Sequence, residues 1–415
     1  MIYRKTMKIL HVLETSLPNL VGYTIRAKYI VENQRLHGLD PVVVTSPFFR
    51  NGNPEIRLEE INEIKYYRTN HIRKPDSKGN KMVSLWTRFR MIQRYKKAVL
   101  DIAKKEKPDI IHAHSSYTNG HAANYVSRKL GIPSIYELRS LWGESAVVED
   151  GLSPNSFKYK MVWRLELRAM KEATRVIAIS QGIKDEIVLK GIDAGKIDIV
   201  PNGVDTTIFQ PQEKDTQLLN ELRLDDAFVV GYIGSIRKLE GLSLLLNAFQ
   251  MINQKNPKIK VLIVGNGPER KALQEKAQGL NLQGVVFTGE IPHSEILKYY
   301  SAIDLFVFPR INAKINQAVT PLKPLEAMAV GKVCLCSNVG GLTELIKDDY
   351  NGMVFNIGDA DDLAYKILSI SADKVKYTGL RKNGLDWVIR ERDWSALIPR
   401  YREIYKNALE EKPRR

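Results

Sequence analysis

"FVVGYIGSIRKLEGLSLLLNAFQMINQKNPKIKVLIVGNG", residues 228–267, contains the unit from which the fold is built. An unbroken apolar run ends in Gly234 and Ser235, two cations follow at Arg237 and Lys238, and Gly241 precedes a helical stretch with apolar residues on one face. A second apolar run, "IKVLIV", then closes on "GNG". Strands apolar at every position are buried on both faces, and a helix between two such strands makes them parallel neighbours. The stretch is therefore a strand–helix–strand unit of a parallel sheet.

Outward from it the same alternation runs along the chain. "MKILHVLE", "PVVVTSP", "DIIHAHS", "PSIYEL", "RVIAIS" and "IDIVPNG" precede it as short apolar strands, and "VVFTGEI", "DLFVFP", "KVCLCSN" and "GMVFN" follow. The pattern lapses into polar and turn residues at "PNGVDTTIFQPQEKD". Two α/β domains are expected, each doubly wound: residues 1–205 and residues 206–389, with a last helix at about 390–415 returning to the first. A chain of 415 residues is long enough for two cores.

At 44% hydrophobic and 27% charged residues the composition is globular, and no apolar run reaches the roughly 18 residues of a membrane span. The apolar run near the start, "ILHVL", is cut off by Glu14 and reads as a strand, not a signal peptide. Cys334 and Cys336 alternate on one strand and read as core, so a cytoplasmic location is expected. The net charge of +16 is uneven: residues 1–200 hold 34 Lys and Arg against 21 Asp and Glu, and Lys65 to Lys97 sets eleven basic residues against Asp76 alone. Such a half seeks an anionic partner, whether nucleic acid, an anionic membrane or a phosphorylated substrate.

Doubly wound sheets bind ligands where strands enter loops and helix N-termini. Gly22, after the first strand, permits close backbone approach to an anion. Ser235, Arg237 and Lys238 suit a pyrophosphate. "IVGNGPERKAL" departs from a dinucleotide fingerprint by carrying Arg270 at its third glycine, so nicotinamide binding is rejected. In "TPLKPLEAMAVGK", residues 320–332, Pro321 and Pro324 fix a helix start, the N–H groups near Leu322 and Lys323 point outward, and Glu326 can accept from a diol. Phosphate on Lys323 with a ribose on Glu326 is what a nucleotide diphosphate offers.

With these loops in order the chain resembles the retaining family 4 glycosyltransferases of GT-B type, whose two Rossmann-like domains set parallel sheets facing across a cleft. The resemblance is carried by "PNGVD" (201–205), "YIGS…EGL" (232–242), "VGNGPE" (264–269), "VVFTGEIP" (285–292), "YYSAIDLFVFP" (299–309), "LEAMAVGK" (325–332) and "SNVGGLTELIKDDYNGMVF" (337–355). "LPNLVGYTIR", "IGSIRKLEGL" and "VTPLKPLEAMA" look like an exosortase-associated exopolysaccharide subgroup. The resemblance implies that Gly22 lies against the donor diphosphate, which Lys323 and the loop Ser235–Lys238 neutralise. It implies that Glu326 binds the ribose, that the backbone of Ile291 meets the base, and that His114 stands near the transferring sugar. Two departures stand out. A glutamate usual eight residues before Glu326 is Ala318 here, with Gln317 beside it as a substitute hydrogen-bond donor. The usual arginine and lysine of the second phosphate loop align with Ser235 and Glu240.

The expected reaction moves a sugar, with retention, from a UDP- or GDP-sugar to a glycan or lipid-diphosphate-linked acceptor in cell-surface polysaccharide synthesis. No Asp-x-Asp ends a strand, and cations with a helix N-terminus can stabilise a departing diphosphate, so no metal or other cofactor is expected. Glu137 and Arg139 end a strand and read either as acceptor-positioning groups or as a structural ion pair. The basic, aromatic-laced segment 81–100 is expected to rest on an anionic membrane surface, or else to be a solvated helix face. Nucleic acid is not expected as a partner, since binding it does not explain sugar-nucleotide loops. A non-catalytic homologue and a sugar-nucleotide 2-epimerase are the competing readings.

Overall fold

The computed structural model describes residues 6–19, 22–49, 55–72, 81–253 and 255–411, with the side chains of 81–88 outside that description. Backbone contacts divide the chain into two units. One comprises the chain up to Leu141, Pro154–Pro201 and everything from Trp394; the other comprises Trp142–Ser153 and Asn202–Asp393. The short segment Trp142–Ser153, which the sequence reading leaves in the first half, thus belongs with the second unit.

The first unit is an eight-stranded sheet. Its strands are β1 (Lys8–Leu13), β2 (Asp40–Thr45), β3 (Leu58–Ile61), β4 (Ile64–Arg68), β5 (Ile110–His114), β6 (Ser134–Leu138), β7 (Arg175–Ala178) and β8 (Ile197–Ile199), in the order β3-β4-β2-β1-β5-β6-β7-β8. All pairings are parallel except β3 with β4, a hairpin whose two turn residues, Asn62 and Glu63, both have positive φ (51° and 60°). Turns of this hand favour Asn-Gly, and the glutamate here hides the hairpin from a reading of turn residues. Part of the basic run is absorbed at this edge: Arg68 bonds Glu59, and Lys65 lies 3.4 Å from Glu106. The helix Trp394–Glu410 buries Trp394, Leu397, Ile398, Tyr401 and Tyr405 against Ile9, Ile110, Ile135 and Ile177 of the sheet and Tyr29 and Ile30 of the helix Gly22–Leu36. Among the described residues no helix is long and apolar enough to cross a membrane.

The second unit is a six-stranded, wholly parallel sheet: β9 (Phe228–Ile233), β10 (Ile259–Val264), β11 (Val285–Gly289), β12 (Leu305–Phe308), β13 (Val333–Ser337) and β14 (Met353–Phe355), ordered β11-β10-β9-β12-β13-β14. Cys334 and Cys336 are free and buried on β13. The order runs outward in both directions from β9, so the chain switches direction between β9 and β12. In the first sheet the same switch lies between β1 and β5. Doubly wound sheets bind ligands at the carboxyl edge beside such switch points, and several of the sequence-selected residues follow the strands that flank them.

Candidate functional site

In the second unit, the loop after β9 carries Gly234 and Ser235, and Arg310 follows β12 at one residue's remove. Lys323 opens the helix Lys323–Ala329, with Pro324 in its first turn. The lysine's side chain runs back over Gly234: a Cβ there would stand 2.3 Å from Lys323 Cε, and the glycine's φ of +144° is itself closed to other residues. Gly265 and Gly267 repeat the demand, since a Cβ on them would meet Gly234 O at 2.1 Å and Ile236 O at 2.2 Å. These glycines exist because two strand-end loops press backbone on backbone. Beside them opens a pocket of about 610 Å³, lined by Gly234, Ser235, Gly265, Gly267, Glu290 and Ile291 among others, and so by the loop the sequence reading set against the base.

The electrostatics of the loop differ from the sequence reading. Lys323 Nζ donates to Glu240 Oε1 at 3.0 Å and to the Tyr232 hydroxyl. Arg310 donates through Nε and Nη2 to the two carboxylate oxygens of Glu240, at 3.3 and 3.2 Å. Burial disfavours the glutamate's charge, but Arg310 and Lys323 outweigh it and bring its carboxyl down to about 2. Burial in turn lowers Lys323, against the pull of Glu240. Arg237 pairs with Glu149 at 3.3 Å and donates to Ser145, both on the segment Trp142–Ser153, while Lys238 is exposed. Glu240 and Arg310 are the ion pair beside Lys323 that the sequence reading missed. The one was read as a lost cation and the other was not read at all, because Arg310 reaches the site from a strand end 70 residues away.

Glu326 is held by the Tyr300 hydroxyl, which donates to Oε2 at 2.5 Å. Burial raises its carboxyl, with Tyr300 and Lys323 opposing. Among the described residues no hydrogen bond reaches Oε1, so that oxygen remains an acceptor. Tyr300 lies in "YYSAID", and no signal of charge or glycine marks it. Pro321 is buried and Leu322 partly so, with the preceding Thr320 O fixed by Asn202 Nδ2 at 2.7 Å. Asn202 of "PNGVD" thus holds the segment before Lys323 from within the same unit. Gln317 is spent elsewhere: its Nε2 donates to Asn312 and its Oε1 accepts from Gly340 N at 2.7 Å. The substitute-donor reading of Gln317 therefore gives way to a structural one, and Ala318 is buried beside it.

In the first unit Gly22 opens its helix, exposed, and a Cβ there would meet nothing within 4 Å. The unit's own packing does not demand a glycine at this position. The neighbouring Leu20 and Val21 lie outside the described residues. His114, Glu137 and Arg139 fall together in a buried polar core, each at most 5% exposed. Glu137 accepts from Arg139 Nε at 2.7 Å, Arg26 Nε at 3.1 Å and Tyr401 OH at 2.7 Å. The two arginines hold its carboxyl well below the usual range in spite of the burial that opposes charge. Its oxygens are used inside the unit, which favours the structural ion pair over the acceptor-positioning reading.

The histidines form a directional relay that ends at His112. Arginine only donates, so Arg139 Nη2 fixes His114 Nδ1 as an acceptor and puts the ring proton on Nε2. That proton goes to His11 Nδ1 at 2.9 Å, and His11 Nε2 donates to Gln34 Oε1 at 2.9 Å. Gln34 Nε2 donates to Tyr405 OH at 2.8 Å, which donates to His112 Nδ1 at 2.9 Å. His112 Nε2 is left facing Glu137 Oε2 at 3.5 Å. Each ring is neutral and buried, and burial lowers all three, His11 to about 3. Their nitrogens lie within 4.8 Å of one another, a spacing a metal ion could bridge. Here, however, the nitrogens are already directed along the relay and sit beside two arginines. Both nitrogens of His114 are engaged in this arrangement.

Residues 24–208 match the family model described as glycosyltransferase family 4, and residues 214–387 that of glycosyl transferases group 1. A GDP-mannose-dependent alpha-mannosyltransferase of Corynebacterium glutamicum is 25% identical over 414 residues, covering 98% of this chain and 90% of its own length. A UDP-Gal:alpha-D-GlcNAc-diphosphoundecaprenol alpha-1,3-galactosyltransferase of Escherichia coli is 30% identical over 285 residues, 66% of this chain and 69% of its own. Among solved structures, Anabaena HepE in complex with UDP shares the fold, with a TM-score of 0.74 at 20% identity over 97% of this chain and 100% of its own.

Proposed function

The chain belongs to the family 4 glycosyltransferases of GT-B fold and is an enzyme of nucleotide-sugar donors; from that premise we propose a retaining transfer from a UDP- or GDP-sugar to a glycan or lipid-diphosphate-linked acceptor in cell-surface polysaccharide synthesis. The observation that carries the donor reading is the placement of Lys323 and Glu326 at the switch point of the second sheet, next to the Gly234–Gly265 loops. Lys323 supplies a charge-assisted donor to the departing diphosphate, and the exposed Lys238 lies on the same loop system. Glu326 Oε1, aligned by Tyr300, accepts from the ribose diol. Ile291 presents its backbone to the base from the wall of the pocket. In this reading the protein's own cations stabilise the leaving group and no metal takes part.

As the family resemblance implies, we propose that Gly22 lies against the diphosphate and that His114, which ends β5 and is orientated by Arg139, serves the transferring sugar. With Ala318 where a carboxylate would stand, transfer runs through front-face attack, in which the leaving phosphate oxygen takes the acceptor's proton. The acceptor's lipid is met at an anionic membrane surface through residues 81–100. The pairing of donor names among the relatives, one GDP-mannose and one UDP-Gal, supports a nucleoside diphosphate sugar without selecting the base.

The test is nucleotide release from a panel of UDP- and GDP-sugars in metal-free buffer. One donor is expected to be hydrolysed or transferred slowly, and Lys323→Ala and Glu326→Ala are each expected to remove that activity. An inverted anomer in the product by NMR would overturn retention. Wild-type protein indifferent to every nucleotide would overturn the donor site.

A further inference from the structure

The geometry points to Arg310 as a diphosphate-binding cation, held in position by Glu240, in the place where the loop after β9 offers no buried cation of its own. The inference rests on the donor-site reading and adds to it a second cation beside Lys323. A buried carboxylate facing Lys323 alone would give a neutral pair with little attraction for a diphosphate. Glu240 instead lies between two cations, at 3.0 Å from Lys323 Nζ and 3.2 Å from Arg310 Nη2, so the group carries one net positive charge. The side chain of Glu240 is 9% exposed, that of Arg310 12% and that of Lys323 22%. All three side chains are largely buried, and Lys323 is the most exposed of them.

Arg310 is also fixed from other sides. Its Nη1 donates to Val319 O at 3.3 Å, tying it to the segment that leads into Lys323, and its own carbonyl accepts from Ser337 Oγ at 2.8 Å. Both carboxylate oxygens of Glu240 take its guanidinium, a forked arrangement that a lysine cannot reproduce. The nearby Arg237 is paired with Glu149. Glu240 is thus a positioning residue: it gathers a lysine and an arginine that arrive from different loops and sets both at the carboxyl edge between β9 and β12.

The test is a charge exchange read by calorimetric binding of UDP and of GDP. Arg310→Ala leaves Glu240 with Lys323 alone and is expected to weaken the nucleotide that wild type binds by about 10- to 100-fold, the value of one charge-assisted hydrogen bond. Arg310→Ala combined with Glu240→Lys returns a cation to the loop after β9 and removes the anion. It is expected to recover most of that loss and to restore its salt dependence. A purely structural ion pair predicts no such rescue. Arg310→Lys, which keeps the charge though not the fork, is expected to retain binding better than Arg310→Ala, and melting temperatures of both variants read any folding defect separately. Binding by Arg310→Ala equal to wild type, or a double variant no better than the single, overturns the inference alone. Wild type that binds neither UDP nor GDP overturns the donor-site reading beneath it.

Discussion

His11 stores a pH dependence that can be worked out from the structure. Its ring lies among His112, His114, Gln34, Arg139 and Glu137, with no exposed surface. Burial first, and His112 second, lower it from 6.5 to about 3. The folded state therefore resists protonation where the unfolded chain accepts it. For a group depressed on folding, the stabilising contribution is complete above the unfolded value and is lost as pH falls towards the folded one. Between pH 7 and pH 5 the unfolded His11 takes up its proton and the folded one does not, which costs about 2 kcal/mol. His11→Gln removes the titration and keeps the polarity of the relay, because an amide oxygen can accept from His114 and its nitrogen can donate to Gln34. Hydrogen exchange at the β1 amides reads the opening of this unit by itself. Wild type is expected to lose about 2 kcal/mol more than His11→Gln over this interval. Parallel losses in the two proteins would refute the assignment of His11 as a neutral, buried link.

Glu137→Gln leaves Arg26 and Arg139 buried without their counter-charge, and is expected to cost about 3–5 kcal/mol in β1 exchange protection; a loss under about 1 kcal/mol would show the arginines finding other partners. Gly234→Ala forces Lys323 off its path and a side chain into a closed backbone region, for about 1–3 kcal/mol of stability and at least a tenfold loss of nucleotide affinity, measured by thermal shift and calorimetry. Unchanged affinity would place the nucleotide elsewhere than beside Lys323. Neutralising Arg90, Arg94 and Lys97 together is expected to abolish pelleting with vesicles rich in anionic lipid, and pelleting that persists would remove the membrane from the proposal.

The class of the fold was legible because it is written locally. Each apolar strand, each helix with one apolar face and each glycine at a strand end depends on residues a few positions apart, and residues 228–267 already contain the repeating unit. Lys323, Glu326 and the loop after β9 could be singled out by the same local logic. The β3–β4 hairpin escaped it because its turn uses Asn62 and Glu63 in place of the glycine that marks such turns. What the tertiary structure decided is how each charge is used. Lys323 and Glu240 are 83 residues apart, Arg310 and Glu240 are 70, and Tyr401 and Glu137 are 264. No pattern along the chain shows that Glu240 gathers cations where the sequence suggests a missing one, that both ends of Gln317 are occupied, or that His114 belongs to a hydrogen-bonded relay with His11 and His112. A side chain's type fixes which bonds it can make. Its partners, brought in by sheets that join distant segments, fix its charge, its tautomer and whether any atom is left for a ligand.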